Sequence, residues 1–282
     1  MSGGIDIAHL RSWIGKEESA EDVLTTALVD RFLATIELAR LPTVGVAPRL
    51  IHFCLCQPSA AMSALGEDGH PARGGFLPPV PLPRRMWAGS ALVFHSDLRV
   101  GERVHRKSRI ADVTLKEGRS GTLVFVTVDH LIAGDGGGRI EDRQTIVYRD
   151  APSTPSRPAP AEPAPRGDVR ASMDISPTLL FRYSALTFNS HRIHYDRDYA
   201  MNCEDYPGLV VHGPLQATLL FHFAAQQRGR NPDRFTFSST SPLFDGSPLE
   251  MHADETEVET MPLWTSRPEG PYAMRASAEW AT

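Results

Sequence analysis

The chain has 282 residues, 41% of them apolar and 22% charged, enough for one large or two modest domains with a full core. Its net charge of -5 gives no electrostatic reason to expect nucleic acid or an anionic membrane as a partner. Three cysteines (Cys54, Cys56 and Cys203) cannot all pair within the chain, there is no leader of basic then apolar residues, and no apolar run approaches the ~20 residues that span a bilayer, so a cytoplasmic protein is expected.

The first predicted element is a helix over residues 21–40, where Leu24, Leu28, Phe32 and Ile36 repeat every four positions. Ser19 and Asp22 resemble a cap, and Pro42 ends the run. Cys54 and Cys56 sit in an apolar stretch and read as packing residues. Residues 66–85 are too rich in Gly and Pro for regular structure. Strands are expected at 91–94, 103–115, 122–131 and 144–148, with glycine turns at 118–121 and 134–138. Pro152, Pro155, Pro158, Pro160, Pro163 and Pro165 then exclude helix and central strand, so residues 151–172 read as an extended connector between domains at 1–150 and 173–282. In the second domain an irregular polar segment (187–206) precedes a helix over 214–227, with Pro214 at its start and Gly229 past its end. Strands at 234–239, 249–258 and 272–280 follow. A helix followed by several strands suggests an α+β fold with a sheet wrapped around a helix.

The chemistry concentrates at residues 187–194 and 211–215. Asn189 has an amide that can orient a water, and His194 five positions on is a base with a pKa near neutrality. Gly213 opens an apolar helix whose free N–H groups suit an oxyanion. Blander readings stand beside these: a hydrogen-bonded structural His194, Asn189 as a turn residue, and Gly213 as a glycine that starts a helix. His191 polarises the site or packs, and His212 satisfies backbone groups at the helix start. His191, His194 and His212 are also three imidazoles that a metal could use, though no carboxylate motif or cysteine pair supports this. Arg84 and Arg85 suit a substrate carboxylate or the phosphates of coenzyme A, or they are solvated arginines flanking Trp87. Arg192, between the two candidate catalytic residues, holds a substrate carboxylate, faces solvent or braces Asp196.

Thr187-Phe-Asn-Ser-His-Arg-Ile-His194 followed by His212-Gly213 resembles the hydratase-2 motif of MaoC-like hot-dog enzymes, Ser-Gly-Asp-x-Asn-Pro-Leu-His with a His-Gly pair opening the central helix. Asp68-Gly-His-Pro71 and residues 76–89 resemble the degenerate hot-dog half found beside it. The chain departs from the motif at Phe188, Asn189, His191 and Arg192. The resemblance implies a double hot dog acting alone or as a homodimer, with a catalytic second half and a first half that widens the acyl pocket. It also implies reversible hydration of an α,β-unsaturated acyl-CoA, specifically itaconyl-CoA or mesaconyl-C4-CoA to citramalyl-CoA, with no cofactor or metal. Asn189, His194 and Gly213 would be catalytic; Arg192, Arg84, Arg85 and His191 would bind substrate. The alternatives are a 3-hydroxyacyl-thioester dehydratase of fatty-acid synthesis and a non-catalytic acyl-CoA-binding hot-dog protein.

Overall fold

A computed structural model describes residues 5–38, 44–118, 121–150, 162–255 and 259–281. Residues 151–161 of the expected connector lie outside these.

Helix α1 (Ile7–Arg11) is followed by strand β1 (Glu17–Val23) and helix α2 (Thr26–Ile36). The helix expected from residue 21 therefore starts later. Its cap is Thr25, whose side chain accepts from Leu28 N, and residues 17–23 pair with a neighbouring strand instead. The apolar repeat is still read correctly: Phe32 and Ile36 are buried on α2 and Leu24 just before it. A 3-10 turn at Ile51–Cys54 precedes an irregular stretch, and then come β2 (Arg84–Ser96), β3 (Arg103–Gly118), β4 (Gly121–Gly134) and β5 (Arg139–Arg149).

The second half opens with β6 (Val169–Met173), which pairs with a later strand and so claims the last residues of the expected connector. Then come α3 (Pro177–Leu186), a 3-10 turn at Arg192–His194, α4 (Arg197–Asn202), α5 (Gly213–Arg228), β7 (Arg234–Ser239), β8 (Leu249–Ala253), β9 (Thr260–Ser266) and β10 (Met274–Glu279). Helix α3 lacked a sequence expectation although its signal is plain: Ser176 caps Leu179 N and Pro177 occupies the first turn. Helix α5 ends at Gly229 in the left-handed conformation, as expected.

All ten strands form one antiparallel sheet in the order β1-β3-β4-β5-β2-β7-β10-β9-β8-β6. Strands of the first half lie on one side and those of the second half on the other, joined where β2 pairs with β7. At that seam Gly89 faces Ser238, and a Cβ there would come within 2.3 Å of the Phe237 carbonyl oxygen. Only glycine lets the strands approach so closely. In the second half, β7, β8, β9 and β10 curl around α5, whose Leu215, Ala217, Leu220, Phe221 and Ala224 are fully or nearly fully buried. In the first half, α1 lies against β3 and α2 against α3. Among the described residues no helix packs broadly on β4 or β5.

Candidate active site

A cavity of about 900 Å³ runs from the amino end of α5 to the inner face of the first half. Asn189, His191, His194 and Gly213 from the second half line it, together with His70, Arg85 and Trp87 from the first.

The catalytic candidates are set by the segment between α3 and α4. Phe188 is exposed and has φ +46, a left-handed conformation costly for an aromatic residue, at the position where the hydratase-2 motif has glycine. The turn it makes lets Asn189 N donate to Ser184 O at 2.9 Å. Asn189 Oδ1 accepts from His191 N at 3.0 Å, so its side chain does close the local turn, leaving its NH₂ group as the part able to direct a water. His194 follows in the 3-10 turn. Its Nδ1 lies 2.7 Å from Val210 O, which requires an N–H there and leaves Nε2 as the basic nitrogen. Burial holds the imidazole well below its ordinary pKa, at about 4, the Val210 hydrogen bond acting in the other direction. At neutral pH it is therefore an uncharged base.

His212 backs this ring. The two imidazoles stack at 3.7 Å and 18°, and His212 Nε2 meets Ser184 Oγ at 2.8 Å. Its side chain makes no cap to α5, so its expected role of satisfying backbone groups is replaced by support of His194. Because nothing caps α5, its first N–H groups are available to a ligand, with the positive end of the helix dipole behind them. A Cβ on Gly213 would meet only Ser239 Oγ at 3.6 Å and Trp87 O at 3.8 Å, ordinary contacts. Packing does not demand glycine at this position.

The first half reaches the site through a loop whose chemistry sequence reading passed over. His70 Nδ1 lies 2.9 Å from Asp68 Oδ2, and the His70 ring packs on His191 at 4.1 Å. Burial works against the Asp68 carboxylate, but hydrogen bonds and charge from His70 prevail and hold it below the usual carboxylate range. Burial also lowers His70, partly offset by Asp68. The loop is fastened to the catalytic segment: Arg192 N donates to Asp68 O at 2.9 Å and Ser190 Oγ to Gly69 O at 2.5 Å. Gly69 has φ +86, and a Cβ there would fall 1.9 Å from Ser190 O, so no other residue fits. Asp68, His70 and His191 each bring a potential ligand atom within 4.8 Å of the others. This set, rather than His191 with His194 and His212, has metal-ligand spacing among the described residues, and its short Asp68–His70 contact is that of a carboxylate–imidazole dyad.

The arginines separate. Arg84 is buried, paired with Glu204 at 3.1 Å, and turned from the cavity. Arg192 is paired with Asp196 at 2.8 Å, lies over Tyr199, and also stays outside the cavity. The substrate contacts expected of these two give way to protein contacts, because each has a carboxylate within reach. Arg85 lines the cavity, meets no carboxylate at ion-pair distance among the described residues, and lowers the basicity of both His70 and His191. Cys54 is buried, as expected, and burial pushes its thiol up to about 12, which removes it as a nucleophile. No helix of the described residues is long and apolar enough to cross a membrane.

Comparison with known proteins identifies the family and the fold. Residues 50–245 match the family model for hydroxyacyl-thioester dehydratase type 2. The mesaconyl-C(4)-CoA hydratase of Chloroflexus aurantiacus is 44% identical over 275 residues, covering 96% of this chain and 98% of that protein. Among solved structures, a MaoC-like dehydratase superposes with a TM-score of 0.71 at 14% identity, covering 96% of this chain and all of the other. A Mycobacterium tuberculosis protein described as having a double hot-dog fold superposes with a TM-score of 0.58 at 14% identity, over 94% of this chain and 96% of that one.

Proposed function

Because the chain belongs to the hydroxyacyl-thioester dehydratase type 2 family, we propose that it hydrates a short α,β-unsaturated acyl-CoA reversibly, with mesaconyl-C4-CoA as substrate and citramalyl-CoA as product. The observation that carries the reading is the meeting of a neutral histidine, an amide and an uncapped helix start in one cavity, in a chain so similar to a mesaconyl-C(4)-CoA hydratase.

The thioester carbonyl lies at the α5 start, where Gly213 N–H receives the charge that develops on oxygen. Asn189 Nδ2 directs a water toward the β-carbon, and His194 Nε2 takes its proton as the new C–O bond forms. The electron pair of the double bond moves onto the carbonyl oxygen as an enolate. When the carbonyl re-forms, the α-carbon takes the proton back from the His194 imidazolium, so one water is added and the enzyme is restored. The Asp68–His70 dyad and His191 complete the polar wall around that water, and Arg85 pairs with the free carboxylate of the diacid. The same steps in reverse dehydrate citramalyl-CoA.

A spectrophotometric hydration assay with crotonyl-, itaconyl-, mesaconyl-C4- and long-chain enoyl-CoA tests the reading. Mesaconyl-C4-CoA should turn over fastest. Turnover of none would leave a binding protein, and preference for long chains would favour fatty-acid synthesis.

A further inference from the structure

The inner face of β3, β4 and β5 should be apolar along its length, and it is so only at its ends. At one end Val104, Ile132 and Ile140 join the main core with α2 and α5. At the other, Ile110, Val126, Val128 and Ile146 form a second cluster with Leu10 of α1. Between them Ser108 faces His130 and His130 faces Asp142 across the strands. Arg106 and Gln144 lie two positions away, on the same face. His52 reaches this row from its 3-10 turn, close enough to feel the charges of His130 and Arg106.

Several atoms here have no protein partner. Both ring nitrogens of His52, Arg106 Nε and Asp142 Oδ1 are buried without a hydrogen bond, and His52 and Asp142 are only 6% and 5% exposed. His52, Arg106, His130, Asp142 and Gln144 all line the same cavity as His194. Such groups are satisfied only by water or by a polar ligand. The row lies far from the chemistry. Trp87 O is 3.8 Å from the Cβ position of Gly213, and Trp87 pairs with Ile146, four residues along β5 from Asp142. At ~3.3 Å per residue Asp142 is about 13 Å along the strand from Ile146, and Gln144, the near end of the row, about 7 Å.

We propose that this row sets an upper limit on acyl length, admitting short acyl thioesters and rejecting long apolar ones whose tails would bring no polar partner to the unpaired atoms of His52, Arg106 and Asp142. The proposal rests on the acyl-CoA reading above and deepens it. A four- or five-carbon acyl group stops short of the row. A longer apolar tail enters it and leaves these groups unmet, at a cost of about tenfold in binding for each. Burial raises Asp142 to about 7 and lowers His130 to about 4 and His52 to about 3, so most of the row offers neutral hydrogen-bonding groups. Its fixed cation, Arg106, has Glu18 at 3.7 Å, which argues against a site for a distant carboxylate.

The test measures hydration of 2-enoyl-CoA thioesters of four to twelve carbons, and calorimetric binding of saturated butyryl- and decanoyl-CoA, which needs no catalysis. The wild type should lose at least about tenfold in kcat/KM between four and ten carbons and bind decanoyl-CoA no more tightly than butyryl-CoA. His52→Leu breaks no protein hydrogen bond, and it should improve the ten-carbon thioester about tenfold in both measurements while leaving the four-carbon values unchanged. Asp142→Leu should act likewise, and Asp142→Asn, which keeps the polarity, should behave as wild type. Wild-type indifference to length in both measurements, or a folded His52→Leu with an unchanged ratio, overturns the proposal. Length-dependent binding without turnover of any thioester would instead overturn the hydratase reading and leave the length limit standing.

Discussion

In the second half the sheet closes on the 16-residue helix α5, whose residues fill its interior. In the first half a sheet of the same kind closes on open space, part of it lined by hydrogen-bonding groups. The difference separates two tasks. A central helix brings free N–H groups with it, since its uncapped start faces the cavity. A half without one gives up that site and gains volume. The seam between β2 and β7 puts the two side by side, so the candidate base and helix start of one half face a cavity walled by the other.

If that division holds, variants in the second half should reduce turnover and variants in the first should mainly change which substrate is used. The largest effect is expected for His194→Ala: a fall of about 10²–10⁴-fold in kcat in a variant that still folds, checked by steady-state kinetics and calorimetry. Should His70→Ala cost as much, the first half is catalytic too and the comparison fails. Gly213→Ala comes next. The fold has room for the methyl group, so the protein should fold normally yet lose on the order of 10²-fold in kcat/KM through misplacement of the thioester. Arg85→Leu sharpens the contrast further, raising KM for a diacid thioester about tenfold and leaving crotonyl-CoA unaffected. Equal losses on both substrates would remove the carboxylate contact.

The smallest effect is one of pH. His194 is depressed to about 4 by burial, and the neutral form is the base. Activity should therefore stay level from pH 8 to 5 and fall only as pH approaches 4. Stability follows the same direction: below about 6.5 the unfolded chain binds protons that the folded one refuses. The His194 contribution is thus present above pH 6.5 and lost as pH falls toward 4, and His222, also lowered to about 4 by burial, adds to the loss. Melting temperatures measured across that window should drop steadily.

Much of this was legible in the sequence where signals are local. The spacing of Asn189, His194 and Gly213 is short, α5 carries its proline and glycine at its ends, and β7 fell within its expected bounds. What escaped depends on distance or on context. Asp68 and His70 meet His191 across more than a hundred residues, and Asp68-Gly-His-Pro71, matched to the degenerate half, is given no chemistry of its own by that resemblance. Strand β9 contains Pro262, which argues against a strand when neighbours are unknown. In β5, Asp142 and Gln144 occupy inward positions yet look like a solvent face, because period-two reasoning assumes that whatever points inward is apolar. Arg192 follows the reading in which it braces Asp196, four residues on, whereas the Glu204 partner of Arg84 lies 120 residues away and no local pattern announces it.

The loop locked at Gly69 against Ser190 gives the assembly a further property. The groups proposed to act on substrate come from both halves yet travel on a single polypeptide, so falling concentration should not separate them. Specific activity should hold constant down to nanomolar enzyme, whatever association the protein undergoes when concentrated.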